Sequence, residues 1–278
     1  MYKKLAARAF TYLILLLFVL VALYPIALMI MDSFKTTQEL SSNPAWLPKL
    51  PTLNNYRDLF HYNGGQILRT FLNSVFVSGC YTFLMLIVSS MAAFAFAKYR
   101  FKGSNAIFIL LLSTMLIPGD MLIPPLYIIL VKFGWINSYK SMIIPGVAKV
   151  MSLFLLRQYM ISIPNSLIEA AKLDGACHFR VFRSIVLPAS VSALATVTIL
   201  EFLSKWNEYL WPLMVVSNPL KQPIMVVLPT LTIDGNLFSI PWTLVLTGCV
   251  VATVPIVVIF LCFSEKVMMS MAAGAVKG

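Results

Sequence analysis

Charged residues are missing from three long stretches of this chain, 9–31, 70–97 and 235–264. Each is longer than the ~20 residues a helix needs to cross ~30 Å of hydrocarbon. Charge breaks and turn residues between them divide the sequence into six candidate helical spans, 9–31, 72–97, 106–131, 140–157, 184–211 and 242–263. The third holds Pro118, Asp120, Pro124 and Pro125, so its ladder of backbone hydrogen bonds has to break or kink there. The expected fold class is therefore all-α, a polytopic membrane protein with six transmembrane helices.

Composition agrees with that pattern. Of 278 residues, 60% are hydrophobic and 11% charged, roughly half the charged share of an ordinary soluble protein. The first apolar run is longer than the ~7–15 residues of a signal-peptide core and contains Pro25, so it reads as a retained first span. Two outer loops, 32–71 and 213–241, are rich in Pro, Asn and aromatic residues but too small to form cores of their own, and no internal repeat is visible. The whole chain, 1–278, reads as one transmembrane domain.

The formal charge of +11 does not indicate nucleic acid, because the basic residues are dispersed over short loops with no soluble basic domain. Their distribution instead orients the chain. With the N terminus inside, the inner segments carry Lys3, Lys4, Arg8, Lys98, Arg100, Lys102, Arg157, Lys172, Arg180, Arg183, Lys266 and Lys277, against Lys35, Lys49, Arg57, Arg69, Lys132, Lys140 and Lys221 outside. The positive-inside rule then selects an N-in, C-in topology.

Between the fourth and fifth spans, the loop 162–188 carries signals for a short helix of about three turns. Ser162 is placed to cap it, Pro164 suits its first turn, and Gly175 can end it in a left-handed conformation. Leu167, Ala170, Ala171 and Asp174 recur at helical spacing and put small residues on one side. Phe179, Phe182, Ile185 and Leu187 follow before Pro188. From these features alone the segment is either a rigid knob joined to the fifth span or an amphipathic helix lying on the membrane.

The residues Glu169-Ala170-Ala171, Gly175 and Ile185-Val186-Leu187-Pro188 resemble the EAA loop in permease subunits of bacterial ABC importers. Further likeness, in Leu173-Asp174-Gly175-Ala176, in the run from Phe202 to Pro212 (FLSKWNEYLWP) and in the tail Ala272–Gly278, is to the shorter six-span permease of maltose-type carbohydrate importers and runs over essentially the whole chain. The tail departs from the family pattern at Met268–Met271, where a glycine is often found.

The resemblance implies a cytoplasmic coupling helix that seats in a separate ATPase through Glu169, Ala170, Ala171, Asp174, Gly175, Ile185, Leu187 and Pro188. It implies that the tail 264–278, through Gly274, Ala275, Val276, Lys277 and Gly278, reaches the ATPase dimer. It also implies two nucleotide-binding subunits that hold Mg-ATP, no cofactor in this chain, a second and non-identical permease, and a solute-binding protein outside the membrane. The setting would be a bacterial cytoplasmic membrane and the solute a carbohydrate, an oligosaccharide first, with glycerol-phosphate or another polar solute as the alternative.

On the fifth span, Thr198, Ser204, Lys205 and Glu208 each lie within about 60° of Glu201 around the helix axis at 100° per residue and form a polar stripe with Asn207 near its outer end. Charges in hydrocarbon must pair or face water, and Glu201–Lys205 and Lys205–Glu208 pairs are available. The stripe either lines a passage for a polyhydroxylated solute, or its outer residues reach the membrane surface while Trp206, Tyr209 and Trp211 form an interfacial belt. Lys149, in the fourth span, is a candidate partner for Glu201, and Asp120 lies in the broken third. Asn73 and Ser74 read as helix caps.

Other classes fit poorly. No GxxxxGK[ST] phosphate loop occurs, so ATP hydrolysis belongs to another chain. An integral membrane enzyme is the rival class, yet His61 and His178 have no metal-ligand spacing and neither GxSxG nor HExxH is present. Cys80, Cys177, Cys249 and Cys262 show no CxxC spacing and read as packing residues.

Overall fold

The computed structural model describes residues 2–42, 46–232 and 240–275, with side chains omitted for 2–7, 9 and 265–275. The main helices are α1 (Tyr2–Ser33), α2 (Gln66–Lys98), α3 (Ser104–Ser113), α4 (Ile123–Lys132), α5 (Val150–Ile161), α6 (Asn165–Leu173), α7 (Val191–Trp206) and α8 (Trp242–Ala275). Among the described residues there is no strand.

Three helical stretches are long and apolar enough to cross a membrane unbroken: Phe10–Ser33, Gln66–Lys98 and Trp242–Ser264. The other three expected spans are bent pairs. Ser104–Leu116 meets Gly119–Lys132 at 95°, Tyr139–Gly146 meets Val150–Ile161 at 43°, and His178–Ala189 meets Val191–Trp206 at 78°. The first bend falls at Pro118, where the missing N–H and the extended preceding residue were expected to break the helix. The second and third are corrections, because 140–157 and 184–211 each read as one continuous span in the sequence.

The chain divides into two compact units, residues 1–68 with 227–254 and residues 69–226 with 255–278. In the first, α1 is exposed over most of its length, as an apolar helix meant for lipid would be. Its C-terminal end is tied down by Ser33. That hydroxyl donates to the Ile30 carbonyl at 2.7 Å and lies 2.8 Å from the Tyr56 hydroxyl, while Asn55 donates to the carbonyls of Ser33 and Lys35 at 2.8 Å each.

The core of the second unit runs from Val77, Tyr81 and Met85 on one face of α2 to Leu156 and Met160 on α5 and to Val181, Val186 and Val197 further on. Close approach is enforced at Gly146, where a Cβ would stand 2.8 Å from Cε2 of Tyr81. Asn73 and Ser74 are not caps, since α2 begins at Gln66. They hold the 218–226 loop: Asn73 donates to the Leu220 and Gln222 carbonyls at 3.0 and 3.1 Å and accepts from Tyr139, and the Ser74 hydroxyl accepts from Ile224 N–H at 2.8 Å.

The 78° bend has a local cause. Residues Phe182–Val186 form a π-helical turn in which the Leu187 N–H reaches the Phe182 carbonyl. This wide turn precedes Pro188, which has no N–H to continue an ordinary ladder. Ser190 then closes the first arm by donating its N–H to both Val186 and Leu187 carbonyls at 3.0 Å.

Candidate functional site

Within the 162–188 loop a short helix forms with both ends fastened. α6 spans nine residues, Asn165–Leu173, and so makes about two and a half turns. Ser162 does not cap it; its hydroxyl turns back to the Tyr159 carbonyl at 2.7 Å, and Pro164 stands just before the helix with an extended ψ of 133°. The C-terminal expectation is met. Gly175 has φ 77°, its N–H donates to Lys172 at 3.0 Å, and Ala176 N–H donates to Ala171 at 2.9 Å. That pair of bonds is a Schellman motif, which satisfies carbonyls the helix end would otherwise leave open.

Two residues that sequence reasoning missed position this helix. The Lys98 ammonium, at the end of α2, donates to the Ile163 carbonyl at 2.5 Å and to the Asn165 side chain at 3.0 Å. Tyr99 shares a 2.7 Å hydrogen bond with Nδ1 of His178, and the Lys172 ammonium sits 5.5 Å from the centre of its ring. Burial pushes the Tyr99 phenol up from its ordinary pKa. A basic residue followed by an aromatic one at a helix end was the available signal, but their partners lie more than sixty positions away.

Glu169, Ala170, Asp174 and Gly175 are exposed, while Ala171 packs against the core. The most prominent group on the loop is Leu173, at 89% exposure a bare apolar side chain at the end of α6. Ile168 on the opposite side is buried and anchors the helix. Beyond the loop, Ile185 and Leu187 are half-buried and Pro188 is exposed.

The polar stripe of α7 splits into two groups. Glu201 is only 7% exposed, and its carboxyl oxygens accept hydrogen bonds from Tyr81 at 3.2 Å and Ser152 at 2.8 Å. Neither Lys205 nor Lys149 is its partner, which corrects both pairings expected from the sequence. Lys149 is exposed at the bend before α5. Thr198 is half-buried and its hydroxyl bonds back to the Leu194 carbonyl at 2.7 Å.

Lys205 instead pairs with Glu208 at 2.6 Å and lies 4.9 Å from the centre of the Tyr81 ring. Ser204 and Asn207 are exposed. Lys205 and Glu208 line a cavity of about 380 Å³ together with Asp120, Gly146, Tyr209 and Trp211, so it opens where the third and fourth expected spans break. The belt reading fails for two of its three aromatics. Trp206 is 1% exposed and stacks on Phe202, and Trp211 is buried with its indole N–H donated to Ser141 at 2.9 Å.

Of the tail, Gly274 and Ala275 belong to the end of α8, whereas Val276, Lys277 and Gly278 lie outside the described residues.

Comparison with known proteins gives a consistent assignment. Residues 85–267 match the family described as binding-protein-dependent transport system inner membrane component. The arabinooligosaccharides transport system permease AraQ of Halalkalibacterium halodurans is 35% identical, with 93% of this chain and 92% of that protein covered. The sn-glycerol-3-phosphate transport system permease UgpE of Brucella abortus is 30% identical over 89% of this chain and 90% of its own. The fold matches that of a crystal structure of a bacterial ABC transporter involved in the import of the acidic polysaccharide alginate, with a TM-score of 0.83, 23% identity, and 95% and 98% of the two chains covered. The chain belongs to the inner membrane component family of binding-protein-dependent transport systems and is a permease of the ABC type.

Proposed function

We propose that this chain is one half of the membrane pathway of a carbohydrate importer in a bacterial cytoplasmic membrane, with six spans and both termini inside. In this reading α6 is the coupling helix and docks into a nucleotide-binding subunit, where Mg-ATP is hydrolysed. A second, non-identical permease supplies the facing half needed for alternating access. Two ATPase subunits and an external solute-binding protein complete the assembly, and the family's own description supports the last of these. The excess of basic residues on the inner segments supports the orientation.

The observation that carries the reading is the presentation of α6. A short helix closed at one end by a Schellman motif and held at the other by Lys98 exposes Glu169, Ala170 and Leu173 together. Covering a fully exposed leucine contributes about 1.5–3 kcal/mol, so Leu173 belongs against a partner. In the purified complex, a cysteine introduced as Leu173→Cys should cross-link to the ATPase subunit. Leu173→Asp should reduce the ATPase recovered with this chain about tenfold. Equal recovery with no cross-link would remove α6 from the interface.

For the solute path, the polar groups around the 380 Å³ cavity, Lys205, Glu208 and Asp120 with Ser204 and Asn207 nearby, are the proposed lining. Glu201 and Thr198 would support that wall from behind, bonded as they are within the protein. An oligosaccharide is favoured because AraQ, at 35% identity, is named for arabinooligosaccharides; glycerol-phosphate is favoured by UgpE at 30%. Binding of the cognate extracellular protein to a panel containing both classes decides between them.

A further inference from the structure

A second concavity in the 69–226 unit has a different chemistry from the polar cavity. Phe76, Cys80 and Leu84 step down one face of α2 at four-residue intervals, and with Ile143 and Ile144 they wall a groove of about 490 Å³. From Phe76 to Leu84 this strip descends about 12 Å at 1.5 Å per residue, which fits within one leaflet, about half of the ~30 Å hydrocarbon core. Its polar groups gather at the Phe76 end. There Tyr139 packs edge-on against Phe76 with ring centres 5.3 Å apart, and Ser138, Lys140 and Lys221 close the groove.

No acidic side chain lines it. Lys140 is exposed, and Lys221 spends one ammonium hydrogen on the Asn137 carbonyl at 2.9 Å, leaving two directions for another acceptor. Arg69 adds a third cation at this end, because its Nε is fixed to the carbonyl of Leu220, the residue before Lys221, at 3.0 Å.

We infer that this groove is a site for one anionic glycerophospholipid, with an acyl chain lying along Phe76, Cys80 and Leu84 and the phosphate between Lys140 and Lys221. The occupant has to be apolar over one leaflet's depth and anionic at its end, and a membrane phospholipid meets both requirements. A zwitterionic lipid would fill the apolar part equally well, so the lysines should produce selectivity for net negative charge. The inference rests on membrane embedding alone and is independent of the solute.

Cys80 supplies a built-in reporter. In a variant carrying Cys177→Ala, Cys249→Ala and Cys262→Ala, the full chain is placed in nanodiscs of phosphatidylcholine or phosphatidylglycerol and reacted with a small maleimide. Labelling should slow several-fold with phosphatidylglycerol. Native mass spectrometry of the chain released from equal mixtures should show phosphatidylglycerol retained over phosphatidylcholine by about tenfold, at a few-fold per lysine. That preference should fall several-fold in Lys140→Gln/Lys221→Gln, where Gln keeps an N–H for Asn137 and Arg69 remains, provided circular dichroism shows the variant folded. Equal retention of the two lipids, or a preference unchanged in the double variant, would overturn the inference. So would Cys80 that reacts alike in both lipids and is shielded only once the second permease is added, since the groove would then be a subunit contact.

Discussion

Gly175→Val should leave the transporter assembled but lower solute uptake per ATP hydrolysed by about tenfold, the equivalent of the 1–2 kcal/mol that a side chain pays in the left-handed region. At φ 77° Gly175 occupies that region, and a β-branched residue tolerates it least. Nothing lies within 4 Å of the place a Cβ would take, so the effect is conformational and not a clash. Relaxing φ would break the Ala176–Ala171 and Gly175–Lys172 bonds and release α6 from its fixed angle to the following arm. Gly175→Asn is the control, because asparagine enters the left-handed region readily, and it should retain most coupling. Uptake and hydrolysis measured together in proteoliposomes decide the matter; a valine variant that couples as well as the asparagine one would contradict the role given to this turn.

The second large effect concerns Glu201. Tyr81→Phe/Ser152→Ala removes both donors from a carboxyl group that stays buried, and should destabilise the detergent-solubilised protein by about 3 kcal/mol, given about 1–3 kcal/mol for each buried polar group left unpaired. Adding Glu201→Met to the pair makes the whole cluster apolar and should recover most of the loss. Tyr81→Phe keeps the ring on which Lys205 rests, so the cation's packing is preserved. Thermal unfolding of the double and triple variants is the measurement. If the triple variant is no more stable than the double, Glu201 does more than satisfy those two hydroxyls.

Features with a local cause were legible in the sequence. Pro118 announced its break, and Gly175 announced a left-handed helix end, because each depends on backbone chemistry within a few residues. The apolar stretches announced their helices for the same reason. What could not be read were partners distant in sequence. Glu201 looked suited to a cation one turn away but bonds Tyr81 and Ser152, 120 and 49 positions off.

Trp206 and Trp211 looked amphipathic enough for a membrane interface, yet packing against Phe202 and the Ser141 carbonyl buries them. The elbow at Ser190 escaped notice because its cause is a π-helical turn ahead of Pro188, and the preceding residues have no composition that marks such a turn. Leu173 belongs to the Leu173–Ala176 likeness, yet the sequence does not mark it as the apolar tip of the loop, because its exposure depends on how α6 packs.

That elbow has a mechanical consequence. At 78° the two arms His178–Ala189 and Val191–Trp206 stand nearly at right angles. A thrust along the axis of the first therefore arrives at the second almost wholly as a sideways swing, with little sliding along its length. In the proposed importer this is the less costly direction, since a swing would keep the paired charges of Lys205 and Glu208 at one depth. In the proposed importer the bend would act as a bell crank, turning a push into a parting of walls.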